Sequence, residues 1–395
     1  MKKFLKKTKQ PALYCRRYVE LLSFQYFRNS LILHQTNASY ADKKSIKSLP
    51  KFKAFVLVNQ RLKSMMLILY NKTCFHLIFL TIFCFFRSNA QLQSSVTAND
   101  STTIHLADPT IFHYKGMYYL YGTVEGATGN GFLGYRSADL KAWKRFENNN
   151  GYALKKGDAF GTSGFWAPQI FLYNNKFYMA YVANENIAIA ESDAPLGPFR
   201  QAAKQPLAAS VKQIDPFVFI DDDRKKYLYH VRLTNGNKIF VAELNDDFSS
   251  IKTETLHECI TATEKWENTT NAPWPVTEGP TVIKHKDFYY LFYSANDFRN
   301  PDYAVGYAIS KHPLGPWQKY AGNPIIHKGL LNENGTGHGD FFKNKKQYFY
   351  VFHTHYSKES VRPRKTAIVK AEFHKTENAV DHLAIDKKSF YFLSK

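Results

Sequence analysis

Three carboxylate residues stand in short motifs that recur along the chain: Asp108 in HLADPTIF, Asp215 in QIDPFVF and Glu278 in VTEGPTVI. Each acid comes immediately before a Pro or one residue earlier, and each motif leads into an aromatic-rich strand. An Asp before Pro is by itself a common turn residue. Three acids in matching places of a repeat, however, are expected to meet at one centre. Glycosidic bond cleavage needs such a centre, because one carboxylic acid protonates the leaving oxygen while a carboxylate acts on the anomeric carbon, directly or through water.

The motifs belong to five copies of one pattern: a small or acidic residue, usually a Pro, a short apolar strand, a polar turn and an alternating aromatic strand. The copies are ADPTIFHYKGMYYLYGT, WAPQIFLYNNKFYMAYVA, IDPFVFIDDDRKKYLYHV, EGPTVIKHKDFYYLFYSA and GHGDFFKNKKQYFYVFHTH. Alternation with period two and turns such as Asn174-Asn175 indicate antiparallel hairpins. We take Asp108, Ala167, Asp215, Gly279 and Gly339 as the equivalent positions.

Each copy has room for two more strands, as in GFLGYRSADLKAWKRF and YAVGYAISKHPLGPW. Four strands in each of five units predict an all-β fold, a five-bladed β-propeller in a single domain over residues 91–395. The first strand of a propeller blade lines the central channel. The three acids should therefore converge at one mouth of that channel, and a neighbouring acid would raise the pKa of the proton donor by like-charge repulsion. Ala167 fills the matching place of the second copy, so the repeat itself does not require an acid there.

The positive charge of the chain is concentrated at its N-terminus. The net charge is +20, but residues 1–90 carry 17 Lys and Arg against 2 acids, whereas the rest carries 36 against 31. Nucleic-acid binding by the propeller is therefore not expected. The chain shows no zinc-ligand spacing, and its one Gly-rich stretch, residues 335–339, leads into a strand rather than a helix, so nucleotide binding is not supported.

Residues 65–90 are expected to be an export signal. Lys72 precedes an apolar run from Phe75 to Phe86, and Ser88-Asn89-Ala90 fits a small-x-small cleavage site. The run is short for a membrane span, so we expect a periplasmic or extracellular protein with no stable membrane anchor after cleavage. Residues 1–64 are interpreted as an over-extended N-terminus or a basic tail. Of the four Cys residues only Cys259 lies after residue 90, so the propeller should contain no disulfide.

The ordered set ADPTI, WAPQI, IDPFVF and TEGPTV resembles glycoside hydrolase family 43, and the resemblance runs from about His105 to the C-terminus. It implies an inverting mechanism in which Asp108 is the general base, Glu278 the general acid and Asp215 the residue that tunes Glu278 and positions substrate. His338 matches a histidine that helps to hold a calcium ion or a water in the channel. Arg364 matches an arginine that contacts the sugar, with Arg362 an equal candidate by spacing. No cofactor is required beyond one such structural calcium ion.

Aromatic residues near these positions are candidate sugar platforms, because sugar C–H faces stack on aromatic rings. Trp166, beside the Ala167 position, is the first candidate, followed by Phe165, Phe217, Trp266 and Trp274. The insertion from about Cys259 to Trp274 is expected to form a specificity loop. Since 16% of the chain is aromatic, most of its rings must belong to the core.

The sequence thus predicts a carbohydrate-directed hydrolase that releases terminal α-L-arabinofuranose or β-D-xylose from plant-type polysaccharides or oligosaccharides. The chain leaves no room for an appended β-sandwich, which favours arabinofuranosidase over β-xylosidase. Endo-arabinanase and galactan-directed activities stay open. So do two functions without catalysis, a silent glycan-binding propeller and a protein-interaction propeller.

Overall fold

The chain folds from residue 102 onward into five antiparallel sheets arranged in a circle. The structure is a computed structural model that describes residues 102–377 and 380–395. The predicted segments 1–64 and 65–90, with the export signal, lie outside the described residues. Within the described ranges, no helix is long and apolar enough to cross a bilayer.

The first three sheets follow the predicted copies of the repeat. Blade 1 contains β1 (Leu106–Tyr114), β2 (Met117–Val124), β3 (Gly131–Ser137) and β4 (Lys144–Arg145), with β5 (Tyr152–Lys155) also paired to β3. Blade 2 contains β6 (Trp166–Tyr173), β7 (Lys176–Ala183) and β8 (Asn186–Ser192). Blade 3 contains β9 (Gln213–Ile220), β10 (Lys226–Leu233), β11 (Asn237–Glu243) and β12 (His257–Ile260).

The last two sheets are four-stranded. Blade 4 contains β13 (Thr277–His285), β14 (Phe288–Ala295), β15 (Ala304–Ser310) and β16 (Gln318–Lys319). Blade 5 contains β17 (Gly337–Asn344), β18 (Gln347–Thr354), β19 (Lys365–His374) and β20 (His382–Phe392). Among the described residues, the one α-helix is α1 (Lys328–Leu331), and 3-10 turns occur at Asn148–Gly151, Thr253–Thr255 and Lys265–Glu267.

The first strands of the five sheets form a closed ring. β1 packs against β6, β6 against β9, β9 against β13 and β13 against β17, and β17 packs against β1. The five-bladed all-β propeller is thereby confirmed. The expectation of four strands in every blade holds only in part: blade 2 has three, and its outer edge is a single bridge between Glu191 and Arg200.

Both faces of the second strands are buried, which explains their aromatic content. In β14, Tyr289, Leu291 and Tyr293 pack towards blade 3, whereas Tyr290 and Phe292 pack towards blade 5. A hydrophobic cluster lies in this way at each of the five blade interfaces. Successive side chains of these strands therefore point into two different hydrophobic cores, one on each side of the blade, and neither face is open to solvent.

Candidate active site

Every innermost strand carries a β-bulge at the same level of the channel. The pairing with the second strand shifts after Ala107, Trp166, Ile214, Glu278 and Gly337. The residue that follows each shift has a positive φ: Asp108 48°, Ala167 45°, Asp215 55°, Gly279 58° and His338 44°. Left-handed backbone at residues other than Gly is uncommon and concentrates at functional sites. The ring of bulges thus brings five equivalent residues, one from each blade, to the same level of the channel.

This register corrects one alignment made from the sequence and confirms another, that of Gly279. The fifth equivalent of Asp108 is His338 and not Gly339. Glu278 lies one residue before the bulge, at the position that Trp166 and Ile214 occupy in blades 2 and 3. The three acids therefore come from two adjacent positions of the repeat, and bulges of this kind re-aim side chains next to active sites.

Side chains of the preceding blade hold four of the bulges. The backbone N–H of Ala167 donates to Thr123 Oγ1 at 3.0 Å and that of His338 to Ser294 Oγ at 2.7 Å. The N–H of Gly279 donates to Asp215 Oδ2 at 3.1 Å, and the N–H of Asp108 lies 3.1 Å from His353 Nδ1. Blades 1, 3, 4 and 5 thereby each fix the backbone of the next blade at its bulge.

Asp108 is buried among cationic and hydrogen-bonding groups. Its Oδ2 accepts from the Thr123 hydroxyl at 2.6 Å, and its Oδ1 lies 3.2 Å from Arg364 Nη1 and 3.4 Å from His338 Nδ1. Burial alone would raise the pKa of Asp108, but His338, Arg364, His353 and the bond from Thr123 together hold this pKa well below its ordinary value. Asp108 is therefore a carboxylate at neutral pH.

Glu278 is also buried, but two neutral donors hold it. Tyr303 Oη donates to its Oε1 at 2.8 Å and Asn237 Nδ2 to its Oε2 at 3.0 Å. Burial raises the pKa of Glu278 to about 7, with the charge of Asp108 acting in the same direction and the bonds from Tyr303 and Asn237 acting against it. The environments of Asp108 and Glu278 thus separate a carboxylate from a carboxylic acid, which is the condition for acid–base chemistry by two carboxyl groups.

The His338 ring lies between Asp108 and Asp215. His338 Nδ1 is 3.4 Å from Asp108 Oδ1 and 3.8 Å from Asp215 Oδ2. Burial, reinforced by the charges of Glu278 and Asp108, raises the pKa of Asp215 well above its ordinary value. Burial lowers the pKa of His338, so its imidazole is neutral at pH 7. The structure brings all three predicted acids and His338 to the same channel mouth.

Arg364 reaches the site from the start of blade 5's third strand. Its Nη1 pairs with Asp108, its Nε donates to Glu125 Oε1, and its guanidinium lies 4.6 Å from the centroid of the Phe298 ring. Arg362, the other candidate, is exposed and lies 3.5 Å from Glu125 Oε2. Arg364 is therefore the arginine that contacts Asp108, and Arg362 lies at the rim.

A cavity of about 610 Å³ opens over these groups. Asp108, Asp215, Glu278, His338 and Arg364 line it, together with Trp166, Trp274, Phe298 and Asn237. Its volume lies within the ordinary range for small-molecule sites. Trp274 is 48% exposed, so one of its faces is open to a ligand.

The other predicted aromatic platforms are not on this cavity. Phe165 is fully buried against Phe132 and Tyr181, and Trp266 packs on Tyr293. Phe217 borders the narrow channel below the acids and packs into the core between blades 3 and 4. The structure thus brings Trp166 to the cavity wall as expected, together with Trp274 from the insertion before Glu278.

The side chains of the channel do not by themselves supply a calcium site. Ca²⁺ takes about six to eight oxygen ligands, and no group of three or more His, Cys, Asp or Glu side chains in the described ranges could hold a metal ion. Below the acids, Asp340 accepts from the Thr110 and Thr281 hydroxyls at 2.7 Å each, so these oxygens are already committed. The calcium ion at His338 stays a prediction, and no chemical step is assigned to it.

Sequence reasoning missed the residues that hold the acids, His338 and Arg364 in place, namely Thr123, Glu125, Asn237, Ser294, Phe298, Tyr303 and His353. Thr123, Ser294 and His353 occupy one position on the second strands, since they pair with the residue before the bulge in blades 1, 4 and 5. A polar residue among aromatic ones at this point of YLYGT, LFYSA and YVFHT was a usable signal. Tyr303, in contrast, resembles any core tyrosine.

Comparisons with known proteins agree with this geometry. The profile of the family described as Glycosyl hydrolases family 43 matches residues 101–377. Arabinoxylan arabinofuranohydrolase from Bacillus subtilis (strain 168) is 25% identical over 339 residues, which cover 71% of this chain and 63% of that protein. The chain spans between 47% and 63% of the length of this and two other curated relatives.

Two solved structures match over nearly their whole length. An endo-1,4-beta-xylanase from Bacteroides thetaiotaomicron VPI-5482 is 42% identical with a TM-score of 0.68, and the match covers 74% of this chain and 98% of that one. A thermostable family-43 glycoside hydrolase is 35% identical with a TM-score of 0.65, covering 73% and 95%. The ring of bulges, the buried acids and the family profile lead to one conclusion: the chain belongs to glycosyl hydrolases family 43.

Proposed function

We propose that the protein is an inverting glycoside hydrolase that releases terminal α-L-arabinofuranose or β-D-xylose from plant-type polysaccharides or oligosaccharides. The observation that carries this proposal is the pairing, in one cavity, of an ionised Asp108 with a Glu278 whose pKa is raised to about 7. Asp108 serves as the base that activates water, and Glu278 protonates the leaving oxygen. The relative from Bacillus subtilis, named for arabinofuranose release from arabinoxylan, supports the substrate class.

Arg364 and Asp215 complete the assignment. The Arg364 guanidinium holds Asp108 ionised and presents its remaining N–H groups to the cavity, where they suit sugar hydroxyls. Asp215 lines the same cavity as Asp108 and Glu278, and burial together with the charges of these two groups raises its pKa. We assign to Asp215 the tuning of Glu278 and the positioning of substrate. Trp166 offers an apolar face at the cavity wall.

Internal cleavage of xylan or arabinan is the second candidate. The solved relative at 42% identity is named an endo-1,4-beta-xylanase, and this name favours an endo activity. The two candidates differ in their products, since an exo enzyme releases single sugars and an endo enzyme releases oligosaccharides first.

The test uses purified protein with nitrophenyl α-L-arabinofuranoside, nitrophenyl β-D-xyloside, linear arabinan and xylan. We expect turnover of at least one nitrophenyl glycoside, and a loss of at least about 10³-fold in Asp108→Ala because the activated water has no substitute base. Proton NMR of the first product should show the inverted anomer. Retention of configuration, or full activity of Asp108→Ala, would refute the mechanism; oligosaccharide products without single sugars would favour the endo activity.

A further inference from the structure

Asn237, the first residue of β11, holds the segment that runs from Trp274 to Glu278. Its backbone N–H donates to Pro275 O at 2.9 Å, and its backbone carbonyl accepts from Thr277 Oγ1 at 3.1 Å. Its side-chain Nδ2 donates to Glu278 Oε2 at 3.0 Å, and its Oδ1 accepts from Trp274 Nε1 at 2.8 Å. All four hydrogen-bonding groups of this one residue therefore act on the same five-residue stretch of blade 4.

The orientation of the Asn237 amide is determined by these partners. An indole N–H can only donate, so the amide oxygen must face Trp274. The amide nitrogen must then face Glu278 and donate to its carboxyl group. The position of the Trp274 ring and the hydrogen bonding of Glu278 are thus linked through a single planar group.

The Trp274 end of this link belongs to an anchored loop. Glu267, fully buried in the same insertion, accepts from the backbone N–H groups of Thr263 and Glu264, and also from Tyr293 Oη and Lys319 Nζ. These contacts fasten the insertion to blade 4, while the indole of Trp274 stays on the cavity wall with about half of its surface exposed.

Trp274 lies on the leaving-group side of the site. In glycoside hydrolysis the proton donor acts at the leaving oxygen, and in the inverting reaction the base acts from the opposite face of the sugar ring. Asp108, the base, is held by Arg364 from blade 5, whereas Glu278 is one amide away from Trp274. Because Trp274 lies next to Glu278, its ring faces the leaving group of the substrate.

We propose that Asn237 is a positioning residue that aligns Glu278 with Trp274, and that Trp274 binds the sugar on the leaving-group side of the scissile bond. This inference rests on the proposed function, since it assigns Glu278 the role of proton donor. A substrate lying on Trp274 then has its leaving oxygen held where the Glu278 proton is directed.

The test compares Asn237→Ala and Trp274→Phe with Asn186→Ala. Asn186 starts the third strand of blade 2, as Asn237 does in blade 3, but its side chain donates only to the Asn184 carbonyl on the surface. Rates are measured on a nitrophenyl glycoside and on an oligosaccharide of the same sugar, whose leaving group needs protonation. We expect Asn237→Ala to lose about 10- to 100-fold in kcat on the oligosaccharide, as small misplacements of catalytic groups do, and less than about 3-fold on the nitrophenyl substrate.

The pH profile separates a positioning role from a structural one. The Asn237 N–H favours the ionised form of Glu278, so its loss should move the basic limb of kcat/KM to higher pH by about half a unit to one unit. Trp274→Phe, which keeps a ring but removes the indole N–H, should move the limb in the same direction because the amide is then free to turn. This second variant decides the matter if Asn237→Ala does not fold.

Binding measurements test the leaving-group assignment. Trp274→Ala should raise KM for the oligosaccharide at least about 10-fold, as loss of a stacked ring does, while inhibition by the released monosaccharide, L-arabinose or D-xylose, stays unchanged. Equal losses on both substrates with an unmoved pH limb, or weaker inhibition by the monosaccharide, would overturn the inference. If Glu278→Ala itself has no effect, the proposed function fails instead.

Discussion

At the scale of single residues, the site depends on the different surroundings of two similar carboxyl groups. Asp108 faces a guanidinium and two imidazoles, whereas Glu278 faces a phenol and an amide. Both are buried, so burial alone would raise both pKa values. At Asp108 the charges of His338, Arg364 and His353 and the hydrogen bond from Thr123 reverse this shift. The difference leaves Asp108 a carboxylate, whereas Glu278 can carry a proton near neutral pH.

Glu278→Ala should have different effects on good and poor leaving groups. Nitrophenol departs without protonation, so the nitrophenyl substrate should lose less than about 10-fold, whereas a xylo- or arabino-oligosaccharide should lose at least about 10²- to 10³-fold. The wild-type basic limb should lie near pH 7, because activity falls as the Glu278 proton is lost. Steady-state kinetics on both substrates across pH 4–9 checks this result, and equal losses would contradict the role of Glu278.

Tyr303→Phe should move the basic limb to higher pH. The Tyr303 hydroxyl donates to Glu278 Oε1 at 2.8 Å and favours the ionised carboxyl, so its removal leaves the proton more tightly bound. We expect a shift of about half a pH unit to one unit, the equivalent of one hydrogen bond. Tyr229→Phe is the matched control, since that buried hydroxyl donates to the Pro313 carbonyl away from the site. A limb that stays in place would show that Tyr303 has a packing role only.

At the scale of elements, the β-bulge decides which residues face the channel. The motifs in the sequence predicted the inner strands and their hairpins, and at the predicted turn Asn174-Asn175 both residues have positive φ. The bulge itself adds one residue to one strand, and composition does not reveal it. For this reason Gly339 was aligned with Asp108 although His338 holds that place.

Gly279→Ala should damage the site, whereas Ala167→Gly should not. Both positions have the left-handed backbone of the bulge, with φ of 58° and 45°. A Cβ at Gly279 would lie 2.9 Å from the His338 ring, so the ring must leave its present position beside Asp108 and Asp215. We expect Gly279→Ala to lose about 1–3 kcal/mol of stability, typical of overpacking, together with activity.

Ala167→Gly relieves the strained backbone and should change stability by less than about 1 kcal/mol. Chemical denaturation and turnover of a nitrophenyl glycoside measure both variants. A fully active and stable Gly279→Ala would show that the bulge ring tolerates side chains where the structure leaves no room.

At the scale of the whole molecule, the sequence predicted the repeat but not the contacts between distant copies. Arg364 meets Asp108 across 256 residues of sequence, and Glu125 across 239. Such pairs follow only from closing the circle, because the fifth blade must return to the first. The aromatic residues gave the opposite error, since Trp266 and Phe165 were predicted as sugar platforms but pack in the cores between blades. Residue type alone does not separate a core ring from a sugar platform.

Closure of the propeller should depend on the last residues of the chain. Ile104 donates its N–H to Leu393 O at 2.9 Å, the Ile104 carbonyl accepts from Thr366 N, and Lys395 donates to Thr102 O. The side chains of Ile104 and Leu393 are fully buried in the cluster between blades 5 and 1. Leu393→Ala should therefore lower stability by about 2–5 kcal/mol, the cost of a large-to-small change in a core.

Leu172→Ala is the control for this change, because Leu172 on β6 is 36% exposed and should lose far less stability. Urea denaturation followed by tryptophan fluorescence measures both variants. The Leu393 N–H donates to the Thr366 carbonyl on β19, and Arg364 directly precedes that strand. Leu393→Ala should therefore also weaken activity at urea concentrations too low to unfold the protein. An unchanged denaturation midpoint in Leu393→Ala would show that the five blades stay closed without this side chain, through the packing of β17, β18 and β19 on β1.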